Sequence, residues 1–178
     1  MLEIRGKKLR LVIDEERIKR RVKELALELE RELGGGEPPV FIGLLKGSFI
    51  FLADLIRELS LPAVVDFMRV SSYGSGTESS GEVRILKEPE LELKGKKVVL
   101  VDDILDTGLT LKRVKEYLLE KEPAVLKTCV LLDKKEARKV PFEADLVGFE
   151  VPNDFLVGYG LDWGELGRNL RGIYAVEL

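Results

Sequence analysis

One segment of the chain combines acidic side chains with a turn rich in hydroxyl groups. An apolar run at residues 98–101 leads into Asp102 and Asp103, and Asp106 follows two apolar residues later. Residues 106–110 read Asp-Thr-Gly-Leu-Thr and are predicted to open a helix. The free N–H groups and positive dipole end of a helix N-terminus bind phosphate, and carboxylates accept hydrogen bonds from sugar hydroxyls. The segment therefore indicates a site for a sugar phosphate.

The turn adds its own features to this interpretation. Thr107 and Thr110 supply hydroxyl groups, and Gly108 allows a phosphate to approach the backbone closely. The segment is neither a Walker A loop nor a Gly-x-Gly-x-x-Gly dinucleotide fingerprint, because the residues those motifs require are absent. Acids after a strand, or Asp-Thr-Gly at a helix start, are each common structural features. Their occurrence in register favours a phosphate site over a plain strand-to-helix turn.

The elements that position this segment follow from hydrophobic periodicity. The pattern predicts helices at residues 14–33, 48–59 and 109–120, and strands at residues 40–45, 63–70, 97–101 and 124–132. Alternating strands and helices predict an α/β fold with a mainly parallel sheet covered on both faces. Sites in such sheets lie beyond the carboxyl ends of the strands. The polar clusters of this chain occur at those positions.

Composition limits the classes of protein to consider. A chain of 178 residues fits one domain, and a net charge of −3 argues against nucleic acid as a partner. No apolar stretch is long enough to span a membrane, and the single Cys129 lies in an apolar run and suits a reducing cytoplasm. Histidine is absent, so a general base would have to be another group, such as a carboxylate. The absence of Gln and the abundance of Lys, Glu and Arg are typical of proteins from hot environments.

Residues 98–110 resemble the motif that binds phosphoribosyl pyrophosphate (PRPP) in type I phosphoribosyltransferases. The chain resembles the hypoxanthine-guanine members of that family over nearly its whole length. The resemblance implies one domain at residues 1–178, with a core at about 35–150. It also implies a small hood built from both termini, at about residues 1–13 and 151–178. The Gly- and Ser-rich residues 71–81 match the family's mobile lid, which includes Ser72 and Tyr73.

The resemblance also assigns the groups that bind PRPP. Those for the ribose and 5′-phosphate are Asp102, Asp103, Asp106, Thr107, Gly108, Leu109 and Thr110. Those for pyrophosphate are Lys46, Gly47 and Arg168, and the peptide bond before the lysine can turn cis in this family. Mg²⁺ is the implied cofactor, with Asp102, Asp103 and Asp162 as its ligands. Asp102 departs from the family pattern, since many members carry Glu there.

The purine-binding residues rest on the resemblance more than on their residue types. Lys134 corresponds to the lysine that donates to the purine O6, and the base-binding stretch contains Phe155, Leu156 and Asp162. By type alone, a lysine run is usually solvated, and an aromatic among aliphatic residues usually belongs to the core. In the family pattern, Phe155 stacks on the purine and the Leu156 backbone meets its edge.

The implied activity is purine salvage, in which a 6-oxopurine displaces pyrophosphate from PRPP to give IMP or GMP. Asp106 is the expected general base, acting on the purine N7 proton. A preference for xanthine is one alternative, and a PRPP-sensing regulator that binds nucleic acid on the same fold is another. The acidic net charge and the full set of catalytic groups favour the enzyme. We expect small-molecule substrates, no membrane or nucleic-acid partner, and a homodimer or homotetramer.

Overall fold

A computed structural model describes residues 2–72 and 82–178 as two sheets with helices packed against the larger one. The helices are α1 (Glu15–Leu33), α2 (Phe49–Arg57) and α3 (Leu109–Glu120), with a 3₁₀ turn at Lys135–Ala137. The strands are β1 (Glu3–Ile4), β2 (Lys7–Ile13), β3 (Val40–Leu45), β4 (Val64–Ser72), β5 (Val83–Lys87), β6 (Lys97–Leu105), β7 (Val125–Asp133), β8 (Leu146–Glu150), β9 (Leu156–Val157) and β10 (Ile173–Val176).

The larger sheet has the strand order β5-β4-β3-β6-β7-β8. Its strands run parallel except for the edge strand β5, which pairs with β4 antiparallel. The predicted, mainly parallel α/β sheet is thus confirmed. Strand β6 continues to Leu105 instead of ending at residue 101, because its pairing with β7 extends to the Leu105–Asp133 pair. Parallel pairing places the carboxyl ends of β3, β6 and β7 along one edge.

The smaller sheet is the hood that the resemblance implied, and it joins the two ends of the chain. Its order is β1-β2-β10-β9, and the named pairs are antiparallel. Strand β10, close to the C-terminus, lies between β2 and β9. Residues 158–172 leave β9 and return to β10, so they form a long loop on the hood.

Apolar residues cover both faces of the larger sheet, as its alternating strand pattern requires. On one face, α1 and α2 pack against residues that include Val99, Val101 and Cys129. On the other, α3 packs against Val98 and Leu100 of the same strand. Burial raises the pKa of the Cys129 thiol, in agreement with the inert thiol that the sequence suggests.

Helix α1 begins where its capping signal predicts. Asp14 accepts a hydrogen bond from the Arg17 N–H at 2.8 Å, and Gly34 follows the last helical residue. The apolar face predicted from the sequence is buried: Ile18, Val22, Leu25, Leu29 and Leu33. Within residues 2–72 and 82–178, no helix has both the length and the apolar character to cross a membrane.

Candidate active site

The ends of three parallel strands bring the predicted polar clusters to one edge of the larger sheet. Lys46 follows β3, Asp102 lies near the end of β6, and Lys134 follows β7. The Lys134 N–H donates to the Leu105 carbonyl at 2.9 Å, which fixes the start of the base-binding segment against the end of β6. The groups assigned to purine and to ribose therefore share one edge because β6 and β7 are neighbours.

The turn at residues 106–110, called the phosphate-binding turn after its predicted role, lines a cavity of about 260 Å³. Residues 102–108 form most of its wall, together with Thr110 and Leu111. Gly108 has a φ of 85°, a left-handed conformation that side chains disfavour, and it immediately precedes α3. The Asp106 carboxylate accepts from the Thr107 N–H, which fixes the turn locally. The N-terminus of α3 thus faces this cavity.

Residues 46–48, called the pyrophosphate loop because the resemblance assigns Lys46 and Gly47 to pyrophosphate, follow β3. They are packed between the acidic pair, Asp102 and Asp103, and the hood. Its Leu45–Lys46 peptide bond is cis, the state that the resemblance described. A Cβ atom on Gly47 would overlap the Asp103 carboxylate, and a Cβ on Gly160 would overlap the Gly47 carbonyl. Gly160 therefore requires glycine, because its neighbour is backbone and its φ is positive, whereas a side chain at residue 47 would force the Asp103 carboxylate to move.

An acidic residue of the hood links the two cations assigned to pyrophosphate. The Lys46 ammonium lies 3.1 Å from Glu165 Oε2, and the Arg168 guanidinium lies 3.1 Å from Glu165 Oε1. Arg168 also lies 3.4 Å from the Asp162 carboxylate and donates to the Gly160 carbonyl at 2.7 Å. The structure thus brings Lys46, Arg168 and Asp162 together, although long stretches of sequence separate Lys46 from the other two.

Phe155 is more exposed than its residue type suggested. It retains 43% of its accessible surface and meets Trp163 edge-on, with ring centroids 5.9 Å apart. Leu156 is buried in β9, so only its backbone is suited to meeting a ligand. In the lid, the Ser72 backbone ends β4 and pairs with Val83. Tyr73 and the rest of the lid lie outside the described residues, and their role stays a prediction.

Comparison with known proteins agrees with this arrangement. The phosphoribosyl transferase domain matches residues 12–163. The hypoxanthine-guanine phosphoribosyltransferase of Aquifex aeolicus is 64% identical over 177 residues, and the match covers 99% of each chain. The chain belongs to the phosphoribosyltransferase family. Its likeness to the Aquifex protein extends through the hood, which the domain match only partly covers.

Solved structures share the fold of this phosphoribosyltransferase. A hypoxanthine-guanine phosphoribosyltransferase from Bacillus anthracis superposes with a TM-score of 0.90 at 46% identity, covering 96% of this chain and all of the other. The hypoxanthine phosphoribosyl transferase of Trypanosoma cruzi also gives a TM-score of 0.90, at 41% identity, with coverage of 99% and 95%. The predicted type I fold is therefore confirmed.

The carboxyl groups of Asp102 and Asp103 ionise less readily in this phosphoribosyltransferase than free aspartate side chains do. Burial raises the pKa of both Asp102 and Asp103, and repulsion from the Asp103 carboxylate raises the pKa of Asp102 further. A divalent cation would relieve this repulsion, and oxygen ligands of this kind suit Mg²⁺. In residues 2–72 and 82–178 no group of three or more acidic, Cys or His side chains is arranged to hold a metal. The pair still fits Mg²⁺, which commonly takes one or two carboxylates and completes its shell with water and substrate phosphates.

Arg138 is a residue that the sequence gave no reason to select. Its guanidinium donates to the Asp106 carbonyl at 2.9 Å, the Phe142 carbonyl at 3.0 Å and the Asp133 carboxylate at 2.7 Å. It therefore ties the phosphate-binding turn to the end of β7, next to Lys134. No motif marks it, because its contact with the turn joins residues that are 32 positions apart in the chain.

Glu165 was also missed, although a weak signal existed. Asp162, Glu165 and Arg168 recur at every third position, which places charged groups close together in a tight loop. Hydrogen bonds from Lys46 and Arg168 lower the pKa of the Glu165 carboxyl. Glu165 is therefore a charged group among the residues assigned to pyrophosphate.

Proposed function

We propose that this protein transfers the 5-phosphoribosyl group of PRPP to hypoxanthine or guanine, releasing pyrophosphate and giving IMP or GMP. The observation that carries the proposal is the cavity formed by the acidic pair and the phosphate-binding turn, beside the lysine that follows β7. The Aquifex aeolicus relative, named a hypoxanthine-guanine phosphoribosyltransferase, supports the same substrates. The reaction breaks the bond between C1 of the ribose and pyrophosphate and forms one from C1 to a purine nitrogen.

Asp106 is the general base in this proposal. Its carboxylate lines the cavity at the start of the turn, between the acidic pair and the phosphate cradle. A base must lie within hydrogen-bonding reach of the proton that it removes, and a purine held near Lys134 would present N7 on this side. Asp102 and Asp103 would accept hydrogen bonds from the ribose hydroxyls.

Three groups hold the purine in this proposal. Lys134 donates to the purine O6 and offsets the charge that develops there. Phe155 offers an exposed ring for stacking on the purine, which its partial burial against Trp163 holds in place. The Leu156 backbone meets the edge of the base.

Pyrophosphate is held by Lys46, the Gly47 backbone and Arg168 in this proposal. The side chains of Lys46 and Arg168 support it, because both contact the Glu165 carboxylate. Mg²⁺ would be held by Asp102 and Asp103, with Asp162 for a second ion, and would neutralise charge on the phosphate oxygens. Arginine and lysine supply the remaining positive charge from the protein side.

We further propose a homodimer or homotetramer that works in the cytoplasm. In the Trypanosoma cruzi relative, the C-terminal region has a role in the oligomeric state and enzymatic activity. Here the C-terminal strand β10 lies inside the hood, and Phe49 at the start of α2 is an exposed aromatic beside the pyrophosphate loop. Sedimentation of the purified protein across a concentration series tests the assembly.

The activity is tested by PRPP-dependent nucleotide formation with hypoxanthine, guanine, xanthine and adenine. We expect turnover of hypoxanthine and guanine, and little with adenine, which lacks the O6 that Lys134 would contact. Lys134→Ala should lower kcat/KM for the 6-oxopurines about 10²–10³-fold, the usual cost of losing one such donor, with PRPP affinity nearly unchanged. Preferred turnover of xanthine would instead support the alternative substrate, and no turnover with any base would overturn the proposal.

A further inference from the structure

The Glu165 carboxylate has the contacts expected of a bound anion. One oxygen faces the Lys46 ammonium and the other faces the Arg168 guanidinium, each at 3.1 Å. These are the two side-chain cations assigned to pyrophosphate, and they come from opposite sides of the site, the β3 loop and the hood. A single carboxylate thus bridges them as a phosphate group would.

Arg168 retains an unused donor at this point. Its Nε atom is buried and has no hydrogen-bond partner within residues 2–72 and 82–178. Buried N–H groups normally find a partner because leaving one unpaired is costly. The guanidinium is therefore satisfied only in part by its contacts with Glu165, Asp162 and the Gly160 carbonyl.

The Glu165 side chain is placed so that it can move away from Lys46 and Arg168. Its side chain is 63% exposed, whereas that of Arg168 is 19% exposed. It lies in a loop where Gly164 and Glu165 both have positive φ, and its N–H donates to the Asp162 carboxylate at 2.8 Å. The backbone is thus held by its own contacts, and the side chain can rotate into solvent without moving the loop.

We infer that Glu165 is an internal counter-anion, which pairs with the two cations assigned to pyrophosphate and is displaced by the incoming diphosphate. This inference rests on the proposed function, because it takes Lys46 and Arg168 as the pyrophosphate-binding groups. Glu165 thereby weakens the binding of pyrophosphate and speeds its release. It also keeps the two cations close together while the site is empty.

The size of the effect follows from the exposure of the pairs. An exposed ion pair changes an equilibrium constant by at most about fivefold. The loss of two such pairs therefore lowers pyrophosphate affinity by an amount that still permits binding and is large enough to measure. The Glu165→Gln substitution removes the negative charge and keeps the size of the side chain.

The test is calorimetric titration of the folded enzyme with magnesium pyrophosphate. Glu165→Gln should bind pyrophosphate about threefold to tenfold more tightly than the wild type, and pyrophosphate should be a correspondingly stronger product inhibitor. Glu177→Gln is the matched control, since it changes the net charge equally at an exposed hood position; its affinity should equal that of the wild type. Thermal melting confirms that each variant is folded.

Lys46→Met and Arg168→Met, titrated in parallel, separate failure of the inference from failure of the assignment beneath it. If both weaken pyrophosphate binding and Glu165→Gln binds no more tightly than wild type, Glu165 only orients the cations and the inference is wrong. If neither substitution weakens binding, the cations do not contact pyrophosphate. In that case the proposed pyrophosphate site fails together with the inference.

Discussion

Asp106 contributes to the site through its backbone as well as through its side chain. Its carbonyl accepts a hydrogen bond from Arg138 at 2.9 Å, and its carboxylate accepts one from the Thr107 N–H. The first contact holds the turn whatever side chain is present, and an amide oxygen could replace the second. Proton transfer is the only proposed role of Asp106 that requires a carboxylate.

The Asp106→Asn substitution separates these roles. We expect the single-turnover rate to fall about 10²–10⁴-fold, because general-base catalysis is typically worth that much. PRPP affinity should change little, as expected for a group that acts mainly in the transition state. Rapid-quench measurement is the appropriate assay, since product release can limit steady-state turnover. A single-turnover rate within about threefold of wild type would show that Asp106 is only a turn residue.

Asp102 has a raised pKa, and this has a consequence for stability. Burial and the neighbouring carboxylates favour its protonated form in the folded state, so the folded protein binds more protons than the unfolded chain above about pH 4. The contribution of Asp102 to the free energy of unfolding therefore falls as the pH rises from about 4 towards its raised pKa. The negative charge of ionised Asp102 thus destabilises the folded protein, and a bound cation would reduce this effect.

We accordingly expect Asp102→Asn to raise the Tm of the ligand-free protein at pH 7.5, and to do so less at pH 4.5. Each kcal/mol gained should appear as about 2–4 °C in a domain of this size. Differential scanning calorimetry without divalent metal measures both values. A variant that melts below the wild type at pH 7.5 would contradict the raised pKa, while loss of activity in the same variant is expected.

The elements differ in how far the sequence predicted them. Helix α3 has the predicted bounds, and α1 begins after its predicted cap, because periodicity and capping are local signals. The short hood strands were expected only as a region, since two to seven residues carry little periodicity. The extension of β6 through its acidic end was missed because pairing with β7 decides it.

The candidate site, like the secondary structure, could be predicted where the signal is local in sequence and not where it depends on long-range contacts. The phosphate-binding turn is contiguous in the chain, so its motif could be read directly. Phe155 was assigned to base binding by the resemblance alone, since its residue type is typical of a core, and the fold shows that its ring is exposed. Arg138 and Glu165 each have one key partner that is far away in sequence. Local patterns therefore gave no signal for Arg138 and only a weak one for Glu165.

Arg138 joins two elements, and its loss should affect both. Its partner Asp133 is 1% exposed, and removing one member of a buried ion pair usually costs about 3–5 kcal/mol. We expect Arg138→Met to lower the free energy of unfolding by that amount, and to weaken PRPP binding because the Asp106 carbonyl loses its donor. Urea unfolding and PRPP titration measure the two effects.

The double variant Arg138→Met with Asp133→Asn is the control for this prediction. It removes the unpaired buried charge, so it should be more stable than Arg138→Met alone. PRPP binding should remain weak in the double variant, because the contact to the turn is still missing. A single variant as stable as the wild type would show that the pair does not hold the segments together.

At the scale of the whole molecule, the hood is fastened to the core by polar contacts as well as by packing. The Tyr159 hydroxyl donates to the Asp54 carboxylate of α2 at 2.5 Å, and burial raises the pKa of the tyrosine. Gly160, the next residue, lies against the Gly47 carbonyl of the pyrophosphate loop. The position of Arg168 over the core depends on these contacts.

Tyr159→Phe removes the hydrogen bond and leaves the ring in place. Hydrogen bonds to charged groups contribute about 1.5–3 kcal/mol, so unfolding should become easier by that amount. Pyrophosphate affinity should also fall, since the loop that carries Arg168 loses an anchor. Tyr174→Phe, on β10 of the same hood, is the comparison variant and should change neither quantity. Equal behaviour of the two variants would show that the Tyr159–Asp54 contact does not anchor the hood.

The pairing of β2 with β10 has a consequence for how the protein is made. Strand β2 leaves the ribosome before the larger sheet, but its partner β10 is synthesised only after every strand of that sheet. At about 5–20 residues per second, the nascent chain carries an unpaired β2 edge until β10 has been made. The larger sheet can form first, because its strands lie between residues 40 and 150. The loop with Asp162 and Arg168 is fixed only when β10 closes the hood, so the residues assigned to pyrophosphate come together only after β10 has been synthesised.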